Sequence, residues 1–107
     1  MPELLNVLPD QPAFATVLND SFSAESASAA GEVRTEFTLV ECRHLTSGER
    51  QECFSLIFAG PPDLPQEQCI YRLTNDRLGA MDLFLVPIRR DDRGLHFEAI
   101  VNRLILE

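Results

Sequence analysis

Hydrophobic and polar residues alternate along most of the chain after residue 32, with the period of two that is typical of β-strands half-buried against a core. Five segments show this alternation, and in each of them one set of alternate residues is suited to the core. The sets that share one face of their strand are Val33, Thr35, Phe37 and Leu39; Phe54, Leu56 and Phe58; Cys69, Tyr71 and Leu73; Met81, Leu83 and Leu85; and Leu95, Phe97, Ala99 and Val101. The pattern therefore predicts five strands, the first of which continues to about His44.

A sixth segment gives a weaker signal. Residues 21–28 alternate weakly, because most of them are Ser or Ala, and residues 29–32 have the composition of a turn. For residues 21–32 both an edge strand and a mobile loop are compatible with the sequence. Within the next strand, the step from Val40 to Glu41 interrupts the alternation and predicts a β-bulge.

The segments between the predicted strands are short and rich in Gly, Pro, Asn, Asp and Ser, which favours turns. They are residues 29–32, 46–49, 60–65, 74–79 and 89–94. In the last of them, Gly94 is suited to the left-handed conformation that closes a hairpin. Successive hairpins imply antiparallel pairing, so we expect a mainly β fold: a single small antiparallel β-barrel or sandwich of five to six strands with one short N-terminal helix.

That helix is predicted over residues 10–22. Asp10 is suited to the N-cap position and Pro12 to the first turn. The hydrophobic residues at helical spacing are Phe14, Val17 and Leu18. The preceding apolar segment, which ends at Pro9, is expected to pack as an arm.

A chain of 107 residues has room for one hydrophobic core. We therefore expect a single domain over residues 1–107. Residues 1–22 form its N-terminal arm and helix, residues 33–102 its β core, and residues 103–107 an apolar tail.

The strand over residues 81–88 is apolar on both faces, since Phe84, Val86 and Ile88 lie on the face opposite Met81, Leu83 and Leu85, and only Asp82 interrupts the run. Such a strand is expected to be covered on both sides, which would bury Phe84. Either the helix and residues 4–8 cover the second face, or another subunit or partner does so.

The charge of the chain excludes one class of partner. The formal net charge is −8, whereas nucleic-acid binding requires clustered basic side chains. Residues 1–33 contain five acidic residues and no basic one, so this part is acidic and the remainder is close to neutral. The arginines of residues 89–93 are interleaved with Asp91 and Asp92, which indicates a solvated hairpin tip.

No apolar run approaches the roughly 20 residues of a membrane helix.

The cysteines favour a reducing compartment. Cys42, Cys53 and Cys69 are odd in number and widely spaced, which suits neither a disulfide framework nor a zinc site. The N-terminus has no basic region followed by a long apolar stretch. We therefore expect free thiols and a cytoplasmic protein.

Candidate chemistry is sparse. His44 and His96 are the two imidazoles, and Cys53, His96 and Glu98 are the residue types of a nucleophilic site. The sequence has no nucleophile elbow, no phosphate-binding glycine loop and no metal-ligand spacing beside them. We therefore expect no catalytic, cofactor-binding or metal-binding residues.

A series of short motifs runs through the β region in a fixed order. They are Phe54-Ser55-Leu56-Ile57-Phe58 followed by Gly60-Pro61, then Leu64-Pro65-Gln66, Tyr71-Arg72-Leu73, Leu78-Gly79, Leu83-Phe84-Leu85-Val86-Pro87, and Phe97-Glu98-Ala99 followed by Asn102. The set resembles a family of small bacterial domains of unknown function, from about Phe37 to Asn102. Glu67, Phe97 and Val101 stand where that family tends to have Gly, Tyr and Phe.

The resemblance implies a compact β domain without assigned catalytic residues, and an association with phage-tail-collar-like proteins. We therefore expect a non-enzymatic interaction or structural module that binds a protein partner, self-associates as a homodimer or docks onto a larger, phage-tail-like assembly. The alternative is a small-ligand-binding β-barrel or minor enzyme with a site near His96 and Glu98.

Overall fold

The computed structural model describes residues 8–28, 31–47 and 51–104. Within these residues the chain forms one short helix and six strands. They are α1 (Gln11–Ala15), β1 (Ser21–Ser28), β2 (Gly31–Ser47), β3 (Gln51–Gly60), β4 (Cys69–Asn75), β5 (Gly79–Asp91) and β6 (Gly94–Leu104). The predicted mainly β fold of five to six strands with one short helix is confirmed.

The strands form a closed ring in the order β1-β2-β3-β6-β5-β4, in which β4 returns to β1 and every pair is antiparallel. Four pairs join consecutive strands, as the short turns predict. The other two pairs, β3 with β6 and β1 with β4, join strands that are distant in sequence and so close the ring. The ring has an inside, which holds the core, and an outer surface.

Alternation supplies the core. Alternate side chains of the strands are buried inside the ring, which confirms the expected burial of Phe37, Leu56 and Phe97, and on β3 the intervening Ser55 and Ile57 are buried as well. Around Phe37 the ring centroids of Phe58, Tyr71 and Phe97 lie 6.1, 5.3 and 5.3 Å away. Aromatic contacts of this kind add to the stabilisation that burial itself provides.

Helix α1 covers part of the core but is shorter than predicted. The side chain of Asp10 accepts a hydrogen bond from the backbone N–H of Ala13 at 3.0 Å, which confirms it as the N-cap. The prediction that the helix reaches residue 22 is wrong: Asn19 has a φ of 73°, and its N–H donates to the carbonyl of Leu39 at 2.6 Å. This contact turns the chain into β1, so Leu18 is exposed instead of buried.

Residues 21–28 form a strand and not a loop. Nor are they an edge, because Ala24 lies between Thr35 of β2 and Leu73 of β4. The inward side chains of β1 include small ones, Ala24 and Ser26, which explains its weak sequence signal. Its position in the ring comes from pairing on both sides rather than from its own hydrophobicity.

The predicted bulge is confirmed, since the register between β2 and β3 shifts between Leu39 and Glu41. A second shift between His44 and Thr46 was not predicted. The hairpin between β5 and β6 is tighter than expected, because β5 continues to Asp91. Gly94 has a φ of 119°, which confirms the predicted left-handed conformation.

In the described monomer one face of β5 is exposed, so α1 does not cover it, and its cover by a partner stays a prediction. Met81, Leu83 and Leu85 are buried inside the ring, whereas Phe84 is 51% exposed and Ile88 40% exposed. The ring encloses only the inner face, and the described contacts of α1 are mainly with β2. Of the predicted arm over residues 4–8 and the predicted tail over residues 103–107, residues 4–7 and 105–107 lie outside the described residues, and Arg103 and Leu104 belong to β6.

Candidate interaction surface

Four hydrophobic residues on the outside of β4, β5 and β6 form what we call the outer patch: Ile70, Phe84, Val86 and Ile100. Ile70 and Phe84 are directly opposite each other in the pairing of β4 with β5. Their side chains are 60% and 51% exposed, and Ile100 is 51% exposed. Phe84, Val86 and Ile100 also line one depression. Ile70, Phe84 and Val86 are therefore neighbours on β4 and β5, and Ile100 of β6 lies across the depression from them.

This surface departs from the usual pattern of half-buried sheets. In an antiparallel sheet with one face on the core, residues on the other face are normally polar. The outer face follows this rule at Arg72 and Asp82, whose side chains form an ion pair at 3.2 Å. Beside that pair, the hydrophobic side chains of Ile70 and Phe84 extend into solvent, so burial within the monomer does not account for them.

The depression is a cleft between β5 and β6. The pairing of β5 with β6 begins at the hairpin, where Asp91 is opposite Gly94, and ends where Val86 is opposite Glu98. Before Val86, β5 pairs with β4, and after Glu98, β6 continues its pairing with β3. Between the two strands lies a cleft of about 520 Å³, and Leu8 is one of the residues that line it. We call it the β5–β6 cleft.

The charged groups near the outer patch have partners. Asp82 pairs with Arg72, and the Oε2 atom of Glu98 accepts a hydrogen bond from the Ser55 hydroxyl at 2.8 Å. Ser55 is itself buried, with 4% of its surface exposed. These pairings hold the nearby carboxylates in place and leave the hydrophobic side chains as the exposed feature.

His96 lies on β6 two residues before Glu98 but belongs to a different cluster. It is 2% exposed, and its Nε2 atom lies 3.0 Å from Oδ1 of Asp91. The backbone N–H of Arg93 also donates to that oxygen, and this bond, followed by the contact with His96, lowers the pKa of Asp91. No described group bonds His96 Nδ1. Since the Nε2–H of the neutral imidazole can donate to Asp91, this pair stabilises the hairpin.

The structure does not bring together the three residues of a nucleophilic site. On β3, Cys53 lies opposite Asn102 and Ala59 lies opposite His96. Six residues of strand separate these two points, a distance of about 20 Å along β3. Cys53 and His96 are therefore at different ends of the same strand pair, and Glu98 is bonded to Ser55 between them.

Cys42, Cys53 and Cys69 are free thiols in the structure. Cys42 lies 3.5 Å from the side-chain nitrogen of Gln11, and burial raises the pKa of its thiol. The sulfur of Cys69 lies 3.3 Å from the hydroxyl of Ser26. The described part of the chain contains no group of three or more His, Cys, Asp or Glu side chains placed to hold a metal ion.

A second depression, of about 380 Å³, is polar and lies where β1 meets the turn after β4. Asn75 is its most buried residue, and its side-chain groups are used within the fold. Its Nδ2 donates to the carbonyl of Ser21 at 3.1 Å, and its Oδ1 accepts from the N–H groups of Arg77 and Leu78. Asn75 therefore fixes a turn rather than facing a ligand.

Sequence reasoning identified the apolar outer face of β5 but missed its neighbours on β4 and β6. Ile70 and Ile100 each occupy an outward position in a strand whose other outward residues are mostly polar. An isolated hydrophobic residue on a polar face carries little information. The pairing register, which places Ile70 opposite Phe84, is what turns separate residues into a patch.

Within the described residues, no helix is long and apolar enough to cross a membrane. Neither the curated proteins nor the solved structures contain a match to the chain. One family model does match: "Domain of unknown function (DUF6916)", over residues 9–101, which is most of the chain and nearly all of its described part. The suspected membership of a family of unknown function is thereby confirmed, and the chain belongs to the family of small domains described as DUF6916.

Proposed function

We propose that this protein is a non-enzymatic interaction module that self-associates as a homodimer through the outer patch. The observation that carries the proposal is the exposed cross-strand pair of Ile70 and Phe84, continued by Val86 and Ile100. Monomeric proteins seldom expose contiguous apolar surface of this kind without a binding role.

The chemistry of the patch suits a second copy of the same chain. In a two-fold dimer the same patch meets itself, so it has to be complementary to its own properties. A hydrophobic patch without an unpaired charge at its centre meets this condition. The nearest described acids, Asp82 and Glu98, already interact with Arg72 and Ser55.

The polar clusters support an enzymatic alternative less well. His96 is buried and bonded to Asp91, while Glu98 is bonded to Ser55. A general base must be within reach of a substrate, and the 2% exposure of His96 leaves little room for one. A site near His96 and Glu98, and an association with a phage-tail-like assembly, stay predictions from the sequence.

The test measures molar mass by light scattering over a range of micromolar concentrations. The wild-type chain of 12.0 kDa is expected to show a mass approaching twice that value. The double variant Ile70→Thr/Phe84→Thr keeps residues that favour strands but removes most of the apolar surface of this pair. Loss of two large contacts per protomer should weaken dimerisation at least tenfold, which corresponds to about 1.4 kcal/mol.

The matched control is Leu45→Thr, since Leu45 is 40% exposed on β2 and lies outside the patch. It should leave the mass unchanged. A wild-type protein that remains at 12.0 kDa at every concentration would overturn the proposed self-association. So would a dimer that the double variant and the control weaken equally.

A further inference from the structure

The outer face of the hairpin between β4 and β5 consists of cross-strand rows, each with one exposed residue from either strand. Three successive rows pair Thr74 with Ala80, Arg72 with Asp82, and Ile70 with Phe84. In this order the rows are small, charged and apolar. The charged row therefore lies directly beside the exposed pair of the outer patch, and its two charges are opposite in sign.

The charged row forms an ion pair within the chain but keeps capacity for a second partner. Nε of Arg72 lies 3.2 Å from Oδ1 of Asp82, and Nη2 of Arg72 donates to Oδ2 at 3.4 Å. The two side chains remain 58% and 44% exposed. A guanidinium has more N–H donors, and a carboxylate more acceptor positions, than these two contacts use. Since an exposed ion pair adds little to the stability of a monomer, this row is available for a role at an interface.

Symmetry decides what the charged row would meet in a homodimer. A two-fold axis that runs parallel to the strands, midway between β4 and β5, places each row against itself with its two ends exchanged. Arg72 of one protomer then faces Asp82 of the other, and Ile70 faces Phe84. An axis perpendicular to the strands through the same row would place Arg72 against Arg72, which is repulsive. Charge complementarity therefore selects the parallel axis and a second copy of the chain as the partner.

We propose that Arg72 and Asp82 determine the geometry and specificity of the homodimer by forming two ion pairs between the protomers around this axis. The inference rests on the proposed self-association through the outer patch and names the residues that orient it. The apolar row supplies most of the binding, and the charged row supplies selectivity, as complementary charges at interfaces usually do.

The test uses two reciprocal charge variants and measures molar mass by light scattering. In Arg72→Asp only carboxylates meet at the charged rows, and in Asp82→Arg only guanidinium groups meet. Each variant alone is expected to dimerise at least about tenfold more weakly than the wild type, because like charges face each other at two points. An equal mixture of the two should form a heterodimer about as tightly as the wild type forms its homodimer, since an acidic row then meets a basic one.

The matched control is Arg43→Asp. Arg43 is exposed and pairs with Glu41 on β2, which lies opposite β5 in the ring. The substitution changes the net charge by the same amount as Arg72→Asp, so it separates general repulsion from contacts at the charged row. It should leave dimerisation unchanged.

The double reversal Arg72→Asp/Asp82→Arg keeps an ion pair within the chain, so it keeps the experiment decisive where far-UV circular dichroism shows that a single variant is unfolded. Its homodimer should be as stable as that of the wild type. It should not exchange subunits with ¹⁵N-labelled wild-type protein, because Arg72 would then face an arginine and Asp82 an aspartate. Native mass spectrometry measures this exchange.

The outcomes separate this inference from the proposed function. A wild-type protein that stays at 12.0 kDa at every concentration overturns both. A wild-type dimer overturns only the role of Arg72 and Asp82 if the single variants dimerise as tightly as the control, or if their mixture is as weak as its components. Free exchange of subunits between the double reversal and the wild type would have the same meaning.

Discussion

The backbone of Gly94 passes so close to the carbonyl oxygen of Gly60 that a Cβ atom on Gly94 would overlap that oxygen. Gly94 begins β6, and Gly60 ends β3, so this contact joins two strands that are distant in sequence. It lies at the end of the long β3–β6 pairing, where Gly60 is opposite Leu95. A side chain is excluded at Gly94 both by this contact and by a φ of 119°.

Gly94→Ala is therefore expected to lower the free energy of unfolding by about 3 to 5 kcal/mol, because backbone strain and a steric overlap act together. The matched control is Gly79→Ala. Gly79 has a φ of 82°, but nothing lies within 4 Å of the Cβ position, so only the strain is expected, at about 1 to 3 kcal/mol. Denaturant unfolding measures both values, and equal losses would contradict the steric part of the argument.

Adjacent residues of β5 should differ sharply in their contribution to stability. Leu85 is fully buried inside the ring, and Leu85→Ala should cost about 2 to 5 kcal/mol. Phe84 is 51% exposed, so Phe84→Ala should cost less than about 1 kcal/mol in the monomer, even though it removes the larger side chain. Unfolding of both variants, at concentrations where light scattering shows only monomer, tests this. A larger loss for Phe84→Ala would indicate that its outer face is covered.

The tyrosine provides a direct pH measurement. Burial, together with the nearby Cys69, raises the pKa of Tyr71 to about 12 from its usual value of 10.0. Tyr71 is the single tyrosine and the chain has no tryptophan, so phenolate absorbance reports on this residue alone. The native protein should titrate near pH 12 and the denatured protein near pH 10.

The same shift predicts a loss of stability in alkaline solution. Above the unfolded pKa of 10.0 the unfolded chain releases the phenolic proton while the native protein retains it, so the free energy of unfolding falls as the pH rises towards 12. Tyr71→Phe keeps the aromatic ring and should make this decline less steep. An equally steep decline in both proteins would show that Tyr71 is not its source.

Asp91 should contribute to the acid limb of stability. Its pKa is lowered from the usual 3.8 by the Arg93 backbone N–H and by His96 and Arg89. The stabilisation is therefore present above pH 3.8 and is lost as the pH falls through the lower native pKa. Asp91→Asn should melt at a lower temperature than the wild type at neutral pH, and the difference should shrink in acid.

The neighbouring substitution Asp92→Asn is the control for Asp91→Asn, because it removes the same charge from the same turn. Among the residues that the structure describes, none forms a hydrogen bond with the Asp92 side chain, whereas the Asp91 side chain binds the Arg93 N–H and His96. Asp92→Asn could also lower the melting temperature at neutral pH by an amount that shrinks in acid. In that case the effect would come from the loss of a negative charge in the turn and not from the Asp91 contacts.

Strands with strong alternation could be predicted from the sequence, because hydrophobic residues at every second position mark the face of the strand that is buried. This holds for Phe54, Leu56 and Phe58 on β3 and for Tyr71 and Leu73 on β4, all of which are buried. The turn at Gly94 was also predictable, because few other residues adopt its conformation. Residues 21–28 were ambiguous because small side chains give the same weak signal in strands and in loops.

The candidate surface was only half visible in the sequence. The double apolar character of residues 81–88 indicated an unusual strand, but whether Phe84 is covered depends on what packs outside it. Likewise, the sequence did not show that α1 ends at Ala15 and that the Asn19 N–H then bonds the carbonyl of Leu39. A contact between residues 20 positions apart cannot be obtained from helical periodicity, which is a local property.

The sequence by itself determined the fold class, the inward residues of the regular strands and the family, since all three are carried by local patterns of residues. The tertiary structure decided how the ring closes, through β3 with β6 and β1 with β4. It also decided that Ile70 and Phe84 meet on the outside and that β5 and β6 separate into a cleft. The physical reason is that alternation specifies which face of a strand is buried, whereas partner and register follow from the packing of the whole core.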